Sequence, residues 1–285
     1  MAAATSIPAS TSSSTPQSTS FPIVLVAVDL ACIILAALPT VVLAIVDRPY
    51  QRGFSCVDES IQYPYLGVET VPFSAVVAGG FLLNIVPMAV GEWLWCRAKG
   101  SSSRSFVRNL AVSSLYKKLG AFLLGAAMSQ AFTDVAKYSI GRLRPHFLHV
   151  CALAPGFNCS AAMSGAVPCT GEAHLVNEAR KSFYSGHSSF AMYSMLYLAL
   201  YLESRLTWRG ARTLRPLLQA ASLLLACWVA LSRVSDYMHH WSDVLAGLLQ
   251  GAAVACFVAF CLSDLFKKRR PCGGPQHLPA DSLRP

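Results

Sequence analysis

The chain has 285 residues, 54% of them hydrophobic and only 13% charged, with a formal net charge of +9 and a mean hydropathy of +0.47. Soluble domains carry about 25% charged residues, so an ordinary soluble fold is excluded. The apolar residues lie in blocks long enough to cross a bilayer, which takes about 20 residues of helix. These features predict an all-α, polytopic membrane protein.

In chain order, residues 1–20 are mainly Ala, Ser, Thr and Pro without Lys or Arg. They lack the basic start of a secretory signal and are expected to form a disordered cytosolic tail. Six apolar blocks follow, at 22–46, 71–95, 119–140, 187–206, 214–232 and 241–266. They predict one six-helix membrane domain over 21–268 and a C-terminal cytosolic tail over 269–285. Six crossings return the chain to its starting side. Of the 23 Lys and Arg, fifteen lie in the second and fourth connections, their flanks and the C-terminal tail. Positive loops stay cytoplasmic, so both termini are expected in the cytosol. The net charge then reflects topology and anionic lipid headgroups, not nucleic acid.

On the opposite, extracellular or luminal side fall Cys56, Cys151, Cys159 and Cys169, the candidates for disulfides. The sequon Asn158-Cys159-Ser160 predicts a glycan at Asn158 on that side.

Three polar clusters interrupt the outer ends of the blocks, where ionisable groups are costly and point to function. KYSIGRLRP at 137–145 leaves the third block; continued as helix, Lys137, Gly141 and Arg144 would share a face. An ammonium and a guanidinium could then meet one anion, although Lys137 could instead pair with Asp134 one turn back. FYSGHSSF at 183–190 opens the fourth block. Gly186 allows close backbone approach, a helix start attracts anions, and Ser185 or Ser188 suits the N-cap. SRVSDYMHHWSD at 232–243 joins the fifth and sixth blocks. His239 and Asp243 are four apart, as are Asp236 and His240. Adjacent histidines point about 100° apart on a helix, and Asp243 falls within the sixth block, which favours the pair His239 and Asp243. Asp236 and His240 are expected to be connector residues facing water or neighbouring loops.

The sequence holds no HExxH, no cysteine pair at zinc spacing and no acidic calcium loop. Three basic groups would also repel a cation. One Lys, two Arg, a helix start and two His at one membrane face describe a metal-independent site for a phosphate monoester.

These clusters resemble the lipid phosphate phosphatases of the phosphatidic acid phosphatase type 2 superfamily. K-x6-R-P stands as Lys137, Arg144 and Pro145; SGH as Ser185, Gly186 and His187; S-R-x5-H-x3-D as Ser232, Arg233, His239 and Asp243. The likeness runs from about residue 21 to 268, with Tyr184 where the wider superfamily often has Pro and His146 where Asn is more usual. The resemblance implies His239 as nucleophile, Asp243 orienting it and His187 as general acid. It assigns phosphate binding to Lys137, Arg144, Arg233, Ser185 and Gly186, with no metal or other cofactor. It implies dephosphorylation of phosphatidate, lysophosphatidate, sphingosine 1-phosphate and ceramide 1-phosphate through a phosphohistidine. A plasma-membrane location, with internal membranes as an addition, and homo- or hetero-oligomers follow from the same likeness. The alternatives are an inactive lipid-binding or signalling relative and a phosphocholine transferase like sphingomyelin synthase, a group that lacks K-x6-R-P.

Overall fold

In a long apolar run, backbone N–H and C=O groups have no water to bond in a bilayer, so they bond within the segment as helix. A computed structural model of the chain, which describes residues 20–99, 110–156, 168–206 and 212–266, is built this way. The long helices are α1 (Ser20–Val46), α2 (Phe73–Lys99), α3 (Leu110–Ile140), α6 (Gly186–Arg205), α7 (Leu214–Ser235) and α8 (Trp241–Phe257), the last continued by a π turn, Val258–Leu262. The short helices α4 (Phe147–Cys151) and α5 (Ala173–Glu178) lie between α3 and α6. Among the described residues there is no strand, only an isolated bridge between Leu153 and Cys169. The tails expected over 1–20 and 269–285 fall almost wholly outside the described residues.

Among the described residues five helices are long and apolar enough to cross a membrane: Ile23–Val46, Phe73–Trp95, Val112–Ile140, Leu214–Ser235 and Trp241–Leu262. The chain is therefore a multi-pass membrane protein. The fourth block of the sequence, α6, is not among the five, because its Ser, Tyr and His residues lower its hydropathy. Its position explains the composition. It packs against α2, α3, α7 and α8, so it meets protein on most sides. Tyr193 and Tyr197 donate to the carbonyls of Phe122 (2.6 Å) and Lys118 (3.0 Å) on α3, and Tyr201 to that of Met88 (3.4 Å) on α2. A buried tyrosine is stable when its hydroxyl has such an acceptor. These tyrosines form the main core with Phe122, Met88, Val258 and Ala255. Helix α8 lies close on α6, because a Cβ at Gly251 would collide with the Ser189 carbonyl.

A second, smaller core sits at the end of the bundle where α3 and α7 finish and α6 and α8 begin. It is made by Phe54, Ile61, Leu143, Phe147, Val150, Cys151 and Ala179. Cys151 and Cys169 are disulfide-bonded, and Cys56 is also in a disulfide; Asn158 and Cys159 lie outside the described residues. Asp47, just past α1, accepts hydrogen bonds from Tyr138 of α3 (2.8 Å), Lys181 (2.8 Å) and Asn177 of α5 (2.8 Å). These bonds hold the carboxylate below its usual range, Lys181 first among them. The α1 end is thereby tied to the segment that leads into α6.

Candidate active site

At this end of the bundle, Lys137, Arg144, Gly186, His187, Arg233 and His239 line one cavity of about 390 Å³, with Tyr65, Glu69, Phe73, His146, Glu178 and Met238 among its other walls. They arrive from the ends of α3, α6 and α7 and from the segments that follow α3 and precede α8. Lys137 is in the last turn of α3, and Arg144 follows in the loop to α4. Gly186 and His187 open α6, Arg233 is in the last turn of α7, and His239 stands just before α8.

The helical face expected for Lys137, Gly141 and Arg144 does not form, because α3 ends at Ile140. Gly141 adopts φ +58°, and a Cβ there would meet the Tyr50 carbonyl, so glycine is the residue that lets the chain turn. Arg144 instead reaches the cavity through a loop bonded to the strand of chain before α6, with Arg144 N–H to Ala179 O at 2.7 Å and Ser182 N–H to Arg142 O at 3.0 Å. Asp134 accepts from Gln130 at 3.0 Å, and among the described residues Lys137 has no ion pair with it. A Cβ on Gly186 would sit 3.4 Å from the Lys137 ammonium, which puts the start of α6 directly against that charge.

Ser185 is fully buried and caps α6, its hydroxyl accepting from Ser188 N–H at 3.4 Å. Its own N–H donates to the Asp243 carbonyl at 3.1 Å. It stands behind the cavity wall and is not part of the lining.

Arg233 is fully buried, and each of its terminal nitrogens is engaged. One Nη donates to the Val71 carbonyl (3.1 Å) and to Nε2 of His187 (2.9 Å); the other donates to Asp236 (2.6 Å). Asp236 also accepts from the N–H (2.9 Å) and hydroxyl (2.6 Å) of Thr70. Asp236, expected to face water or a neighbouring loop, does meet Thr70 of such a loop, but it is 6% exposed and braces the buried guanidinium. Glu69 approaches Arg233 (3.4 Å) and His187 (3.8 Å), and Glu178 approaches Arg144 (3.5 Å). Among the described residues, Nε of both Arg144 and Arg233 is buried without a partner.

His239 is buried, and its Nδ1 donates to the Ser182 carbonyl at 2.8 Å. A carbonyl can only accept, so the proton is on Nδ1 and the Nε2 lone pair is free. Burial, then Arg144 and Lys137, keeps the imidazole pKa well below 6.5. Asp243 lies 4.0 Å from that Nδ1, too far for a hydrogen bond. Its carboxylate is held instead by Arg142 (2.5 Å), the Ser182 hydroxyl (2.6 Å), and the N–H and Nδ1 of His240 (both 3.2 Å). His240 is therefore also more than a connector residue: it caps α8 through Asp243. Its backbone conformation breaks the helix before Trp241, which is why four-residue spacing does not bring His239 and Asp243 into direct bonding.

Sequence reasoning missed Arg142, Ser182, Asp236 and Glu69 as site residues. A second arginine two places from Arg144 was visible as a signal; Ser182 carried none, being 57 residues from His239. His146 is 3% exposed and hydrogen-bonds the Tyr237 carbonyl through Nδ1 at 2.8 Å. It links the Arg144 loop to the His239 segment, and burial pushes its pKa down to about 4.

Residues 118–267 match the model of the PAP2 superfamily, which is more than half of the chain and includes Lys137, Arg144, Arg233, His187 and His239 of the cavity. The chain belongs to the PAP2 superfamily. It is 49% identical over 247 residues to phospholipid phosphatase 1 of Rattus norvegicus, covering 85% of this chain and 86% of the relative. With phospholipid phosphatase 2 of Mus musculus it is 48% identical over 251 residues, covering 87% and 89%. With that of Homo sapiens the identity is 47% over 251 residues, covering 87% and 86%. No solved structure matches. Tyr65, Glu69 and Phe73 lie before the segment matched to the PAP2 model, so this chain completes its cavity with residues outside that segment.

Proposed function

We propose that the chain is a metal-independent lipid phosphate phosphatase acting on phosphatidate, lysophosphatidate, sphingosine 1-phosphate and ceramide 1-phosphate through a phosphohistidine. The observation that carries this is the meeting of Lys137, Arg144, Arg233, His187 and His239 around one cavity at the ends of membrane helices. Phosphatase relatives at about half identity support the reaction class.

In the proposed cycle Lys137, Arg144, Arg233 and the first N–H groups of α6 hold the phosphate oxygens. Nε2 of His239 attacks phosphorus as the bond to the lipid oxygen breaks, and His187 gives its proton to that oxygen. Nε2 of His187 accepts from Arg233 at 2.9 Å; a bound phosphate draws the guanidinium to itself and favours the imidazolium. Neutral His187 next takes a proton from water, whose oxygen attacks phosphorus. The P–N bond then breaks, releasing phosphate and restoring His239. Asp243 acts through Ser182 and His240 to position the His239 segment.

The proposal includes a sixth crossing by α6, a site on the extracellular or luminal face and cytosolic termini. It also includes a glycan on Asn158, residence in the plasma membrane and self-association. Burial of α6 among four helices and the disulfides at the cavity end support the topology.

Phosphate release from the four lipids in detergent micelles containing EDTA tests the reaction. Wild type is expected to be undiminished by EDTA and to form an acid-labile phosphoenzyme, and His239→Ala to do neither. Loss of release in EDTA, or an active His239→Ala, would overturn the proposal.

A further inference from the structure

Helices α2 and α7 each pack on α6, and between them, with α6 as its floor, runs an apolar groove of about 140 Å³. Its walls are Val71 just before α2, Ala75, Val76, Gly79 and Leu83 on α2, and Leu225 and Val229 on α7. On α2, Ala75, Gly79 and Leu83 recur every four residues, so they form one helix face about 12 Å long at 1.5 Å per residue. The groove exists because small residues stand where bulk would close it. Around Gly79 an added Cβ would meet nothing within 4 Å, and Ala191 and Ala226 lie among the other lining residues. Its rim, Leu83, Leu225 and Trp228, is exposed on the apolar surface of the bundle, which in a membrane faces lipid.

One end of this groove abuts the cavity. The Val71 carbonyl accepts from Arg233 at 3.1 Å, and Val229 is one helical turn before Arg233. Phe73, two residues after Val71, lines the cavity and packs edge-on against His187 with ring centroids 5.1 Å apart. His187 is the group placed to protonate the leaving oxygen, and that oxygen carries the lipid. The hydrophobic part of the substrate must therefore leave the phosphate on the His187 side, where the groove begins.

We propose that the α2–α6–α7 groove binds a hydrocarbon chain of the lipid phosphate while its phosphate occupies the cavity, an assignment that rests on the phosphatase reading. The groove abuts the cavity where Arg233 bonds the Val71 carbonyl, has no charged side chain among its lining residues and opens toward lipid. A hydrocarbon chain is the occupant that matches all three features.

Gly79→Leu fills the groove from a position with room for the added atoms. The experiment compares kcat/KM for dioleoyl phosphatidate in mixed micelles with that for dihexanoyl phosphatidate, whose chains are too short to follow the groove. The long-to-short ratio is expected to fall at least tenfold in Gly79→Leu and to stay at the wild-type value in Leu224→Trp, which adds bulk on the lipid-facing side of α7. A second measurement needs no groove variant: a dioleoyl-type phosphatidate with a mid-chain diazirine, irradiated on His239→Ala protein, is expected to label residues of α2 and α7 that line the groove. An unchanged ratio in folded Gly79→Leu, or labelling confined to other helices, would overturn the groove assignment alone. Absence of phosphate release from both substrates by wild type would overturn the phosphatase reading and this assignment with it.

Discussion

Nδ1 of His239 donates to the carbonyl of Ser182 at 2.8 Å, and the hydroxyl of the same serine donates to Asp243 at 2.6 Å. One residue thus fixes the tautomer of the imidazole by its backbone and anchors the nearby carboxylate by its side chain. The two histidines of the 239–240 pair are separated by this arrangement. His239 presents a free Nε2 to the cavity, while His240 spends its Nδ1 on Asp243 and places Nε2 3.3 Å from the Ser60 carbonyl. His239→Ala is expected to abolish phosphate release from phosphatidate. His240→Ala is expected to retain measurable turnover, reduced through the loosened Asp243. An inactive His240→Ala beside an active His239→Ala would reverse the assignment.

Asp236 holds Arg233 by a charge-assisted hydrogen bond at 2.6 Å. Such bonds contribute about 1.5–3 kcal/mol, so Asp236→Asn is expected to weaken binding of the phosphate mimic vanadate roughly 10- to 100-fold. A vanadate inhibition constant unchanged from wild type would show that Thr70 and Val71 suffice to hold the guanidinium.

Arg142 bonds Asp243 at 2.5 Å and Ser242 at 2.8 Å. Removing the guanidinium leaves a fully buried carboxylate with fewer donors, a loss on the order of 1–3 kcal/mol. Arg142→Gln is expected to lower the thermal midpoint in detergent and to reduce kcat. Arg142→Lys is expected to recover part of both.

His239 stays neutral because burial comes first, and the charges of Arg144 and Lys137 second, in disfavouring another cation. A protonated imidazole has no Nε2 lone pair, so attack is lost as pH falls through that lowered pKa. Removing a neighbouring cation raises the pKa. Arg144→Gln is therefore expected to move the acid limb of kcat/KM to higher pH, besides weakening binding. A limb that stays in place would mean another group controls it.

His146 has its pKa pushed down from 6.5 to about 4 by burial. The unfolded chain takes up this proton first as pH falls, so the folded state's advantage is full above about 6.5 and is lost progressively down to about 4. The thermal midpoint of His146→Asn is expected to fall less steeply than that of wild type over this range. Equal slopes would show that other groups dominate the acid response.

By itself the sequence determined an all-α membrane protein and the three motif clusters, because block length, charge asymmetry and motif spacing are local properties of the chain. It favoured His239 over His240 by pairing His239 with Asp243 on the sixth helix; the structure puts His239 in the cavity wall but gives the bond to Asp243 to His240. What the tertiary structure decided were the contacts between segments far apart in the chain. Thr70 and Asp236 meet across 166 residues, and Ser182 and His239 across 57; no periodicity encodes either pair. Two local expectations failed for a shared physical reason. The helical face of Lys137, Gly141 and Arg144 and the direct bond between His239 and Asp243 both assume continuous helix, but α3 stops at Gly141 and α8 starts only after His240. The fourth block, counted with the others in the sequence, is the one whose helix α6 is not apolar enough to stand among the candidate membrane spans. Only packing showed why: a helix surrounded by other helices can carry tyrosines whose hydroxyls bond to its neighbours' carbonyls, an option that a lipid-facing helix lacks.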